Sequence, residues 1–281
     1  MALTENRYGK SRVRLVRVKR HADRHDFQEW SVQILLQGDF ESCFTEGDNS
    51  KILATDTMKN TVYSLARDSS AKCIEEFGRE MVDFLLRRNP QVSHAEVSIS
   101  EKSWERAVTE GKPHPTTFVR SSGECGTTKV SRSQNGKVAI VSGIDNLVIM
   151  KTAGSGFEGY IQDSLTTLPP TADRLFGTAL KAKWKYGNEI VAFGPVRTRI
   201  REILIAEFAD HDSKSVQHTL YAMGEAVLKK SPQVNEIELT MPNLHCLLVD
   251  LSRFGQTNPN EIFVPTDEPH GYIEATIRRS R

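Results

Sequence analysis

Asn89-Pro90-Gln91-Val92-Ser93-His94-Ala95-Glu96-Val97-Ser98-Ile99 and Ser231-Pro232-Gln233-Val234-Asn235-Glu236-Ile237-Glu238-Leu239-Thr240-Met241 carry nearly the same pattern. Pro90 and Pro232 stand 142 residues apart (232 − 90), about half of the 281-residue chain. Each copy ends a helix at a proline and then alternates apolar and polar residues, which is strand patterning. The upstream positions agree at the same offset: Ile74 with Val216, Met81 with Met223, Leu85 with Val227. This is the mark of a duplicated module. The copies then diverge, with Pro242-Asn243-Leu244-His245 standing where the first has Ser100-Glu101-Lys102-Ser103. A polar cluster present in only one of two scaffold copies is a candidate site.

Working outward, Val13–Arg20 alternates apolar and charged residues and reads as a strand with one wet face, and Trp30–Phe40 reads as its hairpin partner across the polar connection His21–Asp26. Helical patterning begins near Thr57, with Asp56 or Thr57 as its N-cap. Ser69 or Ser70 caps a second helix, whose apolar face is Ile74, Phe77, Met81, Phe84 and Leu85 and which ends at Asn89-Pro90. Strands follow near Ala95–Ser100 and Thr116–Val119. The second half repeats the order: strands near Lys137–Lys151 and Leu175–Tyr186, helices near Arg199–Phe208 and Val216–Leu228, strands near Glu236–Leu251 and Tyr272–Ile277. Both halves read β-β-α-α-β-β, an α+β arrangement of two antiparallel hairpins with two helices on one face. The module boundary falls near residue 140, giving modules 1–140 and 141–281; no linker composition marks it.

Formal net charge is +1, from 37 Lys+Arg and 36 Asp+Glu, which suggests neither a nucleic-acid nor a membrane partner. Hydrophobic content of 38% with 26% charged residues fits a soluble globular chain. No apolar run is long enough to span a bilayer, and the polar start Met1-Ala2-Leu3-Thr4-Glu5-Asn6 leads into no secretory signal. Cys43, Cys73, Cys125 and Cys246 are dispersed and match no zinc module, so we expect free thiols in a reducing cytoplasm. The final Arg279-Ser280-Arg281 does not match the peroxisomal tripeptide pattern.

Several constellations could carry chemistry. Ala54-Thr55-Asp56-Thr57 precedes or opens a helix, whose unpaired N–H groups favour an anion; the Thr55 hydroxyl could face a bound anionic heterocycle. Lys10 precedes the first strand and is either a solvated surface lysine or, if partly buried, a proton carrier. Asn243 and His245 are two apart on a strand and point to one face, where an amide and an imidazole could hold a small polar molecule and move a proton. Gln217, in the first turn of its helix, offers a donor and an acceptor. Phe157, between Gly156 and Glu158-Gly159, is a loop anchor or a stacking platform. Arg174 either pairs with a neighbouring Asp or clamps an anionic edge. The histidines supply no metal-ligand spacing, and Gly154-Ser155-Gly156 is no dinucleotide fingerprint.

In this order, the segments Tyr8-Gly9-Lys10, Gly47-Asp48-Asn49-Ser50, Ala54–Tyr63, Leu147–Thr152 with Gly156-Phe157, Leu165–Leu168 with Asp173-Arg174, Ser215-Val216-Gln217 and Pro242–His245 resemble the urate oxidase (uricase) family over nearly the whole chain. The resemblance implies the tunnelling fold, two β-β-α-α-β-β modules per chain, with sheets closing into a barrel in a homotetramer and active sites between subunits. It implies oxidation of urate by O2 and water to 5-hydroxyisourate and H2O2, with neither metal nor organic cofactor. By the same resemblance Lys10 and Thr55 form a proton-relay dyad and His245 assists proton transfer. Phe157 stacks on the purine, while Arg174 and Gln217, helped by the Val216 backbone, clamp one edge and the Asp56 backbone places the other. Asn243 and Thr55 hold O2 and then peroxide or water.

Leu165, where the family usually has an aromatic, Ala153, where it usually has Ser or Thr, and Thr116, where a second His is usual, depart from the pattern. The competing readings are another tunnelling-fold enzyme acting on a purine or pterin, and a purine-binding tetramer that has lost activity.

Overall fold

The structure is a computed structural model describing residues 2–187 and 191–280. The chain divides into two compact units. The first ends at Gly143 and takes in Ala192–Gly194; the second begins at Ile144.

In the first unit β1 (Tyr8–Arg20), β2 (His25–Gly38), β3 (Val92–Thr109) and β4 (Lys112–Ser133) lie in that order in an antiparallel sheet. Helices α1 (Glu41–Thr45), α2 (Thr55–Asp68) and α3 (Ile74–Arg88) connect β2 to β3. The second unit uses β5 (Ala139–Lys151, which starts at the end of the first unit), β6 (Phe176–Tyr186), β7 (Val234–Leu248) and β8 (Phe263–Arg278), with α4 (Phe193–Asp210) and α5 (Val216–Lys230) between β6 and β7.

The repeat survives in the coordinates. α3 and α5 are both 15 residues long, and α5 and β7 begin 142 residues after α3 and β3 (216 − 74 and 234 − 92). Period-two alternation sends Trp30, Val32, Ile34 and Leu36 of β2 into a core against Met58 and Val62 of α2 and Ile74, Phe77, Met81 and Leu85 of α3. Trp184, Ile237 and Leu239 meet Ile200 and Leu204 of α4 and Leu220, Met223 and Val227 of α5 in the second core. Each such aliphatic or aromatic side chain, fully sealed from water, contributes roughly 1.5–3 kcal/mol.

Several boundaries differ from expectation. β1 starts at Tyr8 rather than Val13, so Lys10 lies within the strand and not ahead of it. β2 ends at Gly38, and Phe40 instead seals the core beside the short α1, which the sequence pattern did not suggest. β3, β4 and β8 run well beyond the apolar alternation, because ladder pairing continues through polar stretches that are half-buried in β3 and largely exposed in the outer part of β4 and in β8. Phe84 is only half-buried, under the Arg88 guanidinium, while Gly78, Val82 and Leu86 complete the buried face of α3. The N-cap of α3 is Cys73; Ser69 closes α2 and its hydroxyl accepts from the Ala71 N–H. α4 begins at Phe193, earlier than Arg199.

Candidate active site

The first unit presents Lys10 beside the start of α2. Tyr8 makes this placement: its hydroxyl donates to the Leu53 carbonyl at 3.2 Å and accepts from the Leu53 N–H at 2.8 Å, tying β1 to the turn before the helix. Lys10, two residues on, shares the Tyr8 face of the strand. Gly9 between them lets the strand approach its neighbour, since a Cβ there would sit 1.8 Å from the Ile34 carbonyl oxygen.

α2 opens at Thr55 with Ala54 at the N-cap and no side-chain cap, which corrects the expectation that Asp56 or Thr57 caps it. The first-turn amides of Thr55 and Asp56 therefore keep the free donors of a helix start. The Asp56 side chain turns away into its own helix, bonded to Lys59 and, at 3.0 Å, to Asn60. The Lys59 ammonium holds this carboxyl below its ordinary range, and the Asn60 amide and the charge of Lys10 act in the same direction. Thr55 and Lys10 are half-buried.

In the second unit the segment 154–157 is stitched on both sides. Toward α5, the Gly156 N–H donates to the Ser213 carbonyl at 2.8 Å and the Ser213 N–H to the Gly154 carbonyl at 3.0 Å. Toward the stretch before β6, Phe157 and Thr171 exchange N–H···O bonds of 2.7 and 3.1 Å, and the Arg174 N–H donates to the Ser155 carbonyl at 2.7 Å. One small knot thus joins Phe157, Arg174 and the start of α5.

That helix is capped by Ser215, whose hydroxyl accepts from the His218 N–H at 3.1 Å and leaves the Val216 and Gln217 amides as free first-turn donors. Val216 is buried and the Gln217 side chain is exposed. The equivalent position of the first unit holds Glu75, which is buried and accepts a 2.6 Å bond from the Ser142 hydroxyl, so the two copies use this position oppositely.

The Arg174 guanidinium lies 5.3 Å over the Phe157 ring, which also stacks with Tyr160 at 4.8 Å and 9°. Burial pulls the Arg174 pKa below its ordinary value. Asp173 does not neutralise it, contrary to the pairing considered from the sequence: the Asp173 carboxylate accepts instead from the Ser155 N–H at 3.0 Å. Arg174, Asn243, His245, Thr152 and Leu175 line a cleft of about 400 Å³. The β7–β8 ladder is interrupted there, with Asn243 opposite Gly271 and His245 opposite Thr266. Among the described residues, the side chains of Lys10, Thr55, Arg174, Gln217, Asn243 and His245 have no hydrogen-bond or ion-pair partner.

The structure therefore gathers Arg174, Asn243 and His245 at one cleft, with Phe157 joined to them through Arg174. Val216 and Gln217 are held to the same knot through Ser213 but do not line that cleft. Lys10, Thr55 and Asp56 form a separate group in the first unit.

Compared with known families, residues 6–131 and 140–274 match the family model described as Uricase. The chain belongs to the uricase family. It is 40% identical to a uricase of Arthrobacter globiformis over 279 residues, which cover 99% of this chain and 90% of that protein. A uricase of Dictyostelium discoideum is also 40% identical, over 99% of this chain and 98% of its own length. The crystal structure of the Arthrobacter globiformis uricase superposes with a TM-score of 0.93 over 100% of this chain and 96% of that one. The α+β tunnelling fold with its tandem antiparallel modules is thus the uricase fold.

Sequence reasoning did not assign the backbone-anchoring roles that Tyr8, Ser155, Asp173 and Ser213 play around the candidate site. Their signal is local backbone bonding, which no periodicity reports. Of the three departures, Leu165 and Ala153 are exposed and absent from the cleft wall, and Thr116 lies in β4, where its N–H donates to the His114 ring at 3.3 Å. Gly156 is the tightest point of the knot, because a Cβ there would sit 2.8 Å from the Ala172 carbonyl oxygen and 3.1 Å from that of Thr171. Gly156→Ala is expected to spread the two segments and lower kcat/KM for urate by about tenfold, a misplacement effect. Steady-state kinetics checks this, and an unchanged kcat/KM would show that the close approach is dispensable.

Proposed function

We propose that this chain oxidises urate with O2 in purine degradation, forming 5-hydroxyisourate and H2O2 without metal or organic cofactor. Family membership supports urate as the substrate. The observation that carries the reading within the site is the half-buried Arg174 guanidinium, which has no carboxylate partner among the described residues and stands beside Asn243 and His245. A half-buried cation without a counter-charge favours an anionic ligand, and urate is a planar anion with paired O and N edges.

In this reading the ring of urate stacks on Phe157, and the guanidinium moves from that ring to a urate edge, exchanging a cation–π contact for charge-assisted hydrogen bonds. The Gln217 amide and the Val216 N–H complete that edge, and the Asp56 N–H at the start of α2 takes the opposite one. Urate supplies two electrons to O2, which leaves as H2O2 with two protons, and water supplies the oxygen that becomes the C5 hydroxyl. Lys10 and Thr55 relay the protons, and Asn243 with Thr55 holds O2 and then peroxide or water over the ring. His245 assists proton transfer during hydroxylation. The protein's contribution is orientation and proton transfer, because an electron-rich urate anion itself reduces O2.

The modules 1–140 and 141–281 act together in a homotetramer with active sites between subunits, the Lys10–Thr55 group of one chain serving a urate held by the Arg174 group of another. Four free thiols fit a cytoplasmic protein. No helix among the described residues is long and apolar enough to cross a membrane.

Loss of urate absorbance in air at a rate unaffected by a chelator is the expected result. Urate binding without turnover would favour a degraded binding tetramer, and turnover of a pterin in place of urate would assign another reaction.

A further inference from the structure

We infer that Asp173 is a positioning residue for the urate clamp: its carboxylate supplies the acceptor that the backbone ladder around Phe157 and Arg174 lacks. The argument rests on the urate reading above.

Ser155 is 2% exposed, so its backbone groups must be satisfied from within the protein. Its neighbours Gly154 and Gly156 turn their bonding groups to Ser213, which leaves the Ser155 N–H and carbonyl facing the other way. There the Ser155 carbonyl accepts from the Arg174 N–H at 2.7 Å, but among the described residues no backbone carbonyl meets the Ser155 N–H. Asp173 fills that place at 3.0 Å with a side-chain oxygen. The dipeptide Asp173-Arg174 therefore grips one buried residue at both backbone groups, from the side chain of the first and the main chain of the second. The origin of the Arg174 side chain is thereby fixed relative to Phe157, two residues beyond Ser155.

Asp173 itself is exposed and lies on a stretch that ends just before β6, so its replacement leaves both cores intact. Loss of the acceptor strands a buried N–H and frees the dipeptide to drift. The orientation of the guanidinium toward the urate edge is what suffers.

The test compares the wild type, Asp173→Ala, Asp173→Asn, Arg174→Ala and the double variant Asp173→Ala/Arg174→Ala with urate, together with their melting temperatures. Asp173→Ala is expected to raise KM by about fivefold, the worth of one hydrogen bond, with kcat within twofold and melting lowered by only a few degrees, the mark of one stranded N–H rather than a disrupted core. Asp173→Asn keeps an oxygen acceptor and is expected to restore KM. In the double variant the Asp173 change is expected to add almost nothing to the effect of Arg174→Ala, since the pair acts as a unit. An unaltered KM in Asp173→Ala, a failure of Asn to rescue, or full additivity with Arg174→Ala would each overturn the inference. A wild type that does not oxidise urate would instead overturn the underlying reading.

Discussion

Lys10→Met is expected to lower kcat for urate oxidation by roughly 10²-fold or more, the scale of a lost proton-transfer group, while KM moves by no more than about threefold. Several observations set this expectation. Lys10 is delivered to the start of α2 by a strand that Tyr8 anchors at both the carbonyl and the N–H of Leu53. Among the described residues its ammonium has no carboxylate partner, so it is not holding the fold together. Its field nevertheless reaches Asp56, the neighbour of Thr55 in the first turn of the helix. Methionine keeps an unbranched stem of similar length, so packing along β1 is preserved and only the proton-carrying head is removed. Urate would still bind, because the clamp lies in the other unit. Single-turnover and steady-state kinetics separate the two parameters, and unchanged turnover would remove Lys10 from the mechanism.

Arg174→Ala is expected to act in the opposite way, raising KM by about 10²-fold with a much smaller change in kcat. Two charge-assisted hydrogen bonds to an anionic edge, each worth about 1.5–3 kcal/mol, account for a loss of this size. The guanidinium is half-buried and rests over Phe157, so its removal also frees the ring that is to carry the purine. Arg174→Lys should recover little, because an ammonium cannot reproduce a planar two-point contact. An unaltered KM in Arg174→Ala, measured by steady-state kinetics, would reject the clamp.

The duplicated pattern around Pro90 and Pro232 made the architecture legible, because the same apolar periodicities must bury the same faces: α3 and α5 are helices of equal length whose first residues keep the 142-residue offset of the pattern (216 − 74). The site was legible as residue types in order, not as a geometry. Arg174 illustrates the difference. A neighbouring Asp in sequence suggested an ion pair, yet the carboxylate goes to a backbone N–H that only the folded knot exposes. Lys10 reads as lying ahead of β1 because Gly9 and the polar run Lys10-Ser11-Arg12 break the alternation, whereas the strand continues through them with a shift of register between Lys10 and Val13. The start of α4 is hidden for a related reason: Phe193, Val196 and Ile200 are buried, but Gly194-Pro195 reads as a break when it is the first turn of a helix, where proline is tolerated. The equivalence of Gln217 and Glu75 was visible in the offset, whereas their opposite fates, one exposed and one sealed against Ser142, depend on packing that periodicity does not encode.

The most direct test of urate oxidation by O2 follows urate, dissolved oxygen and peroxide together in chelator-treated enzyme. Equal loss of urate and oxygen with matching formation of H2O2 is the predicted result. Urate loss without oxygen uptake, or a rate that the chelator abolishes and added metal restores, would contradict it.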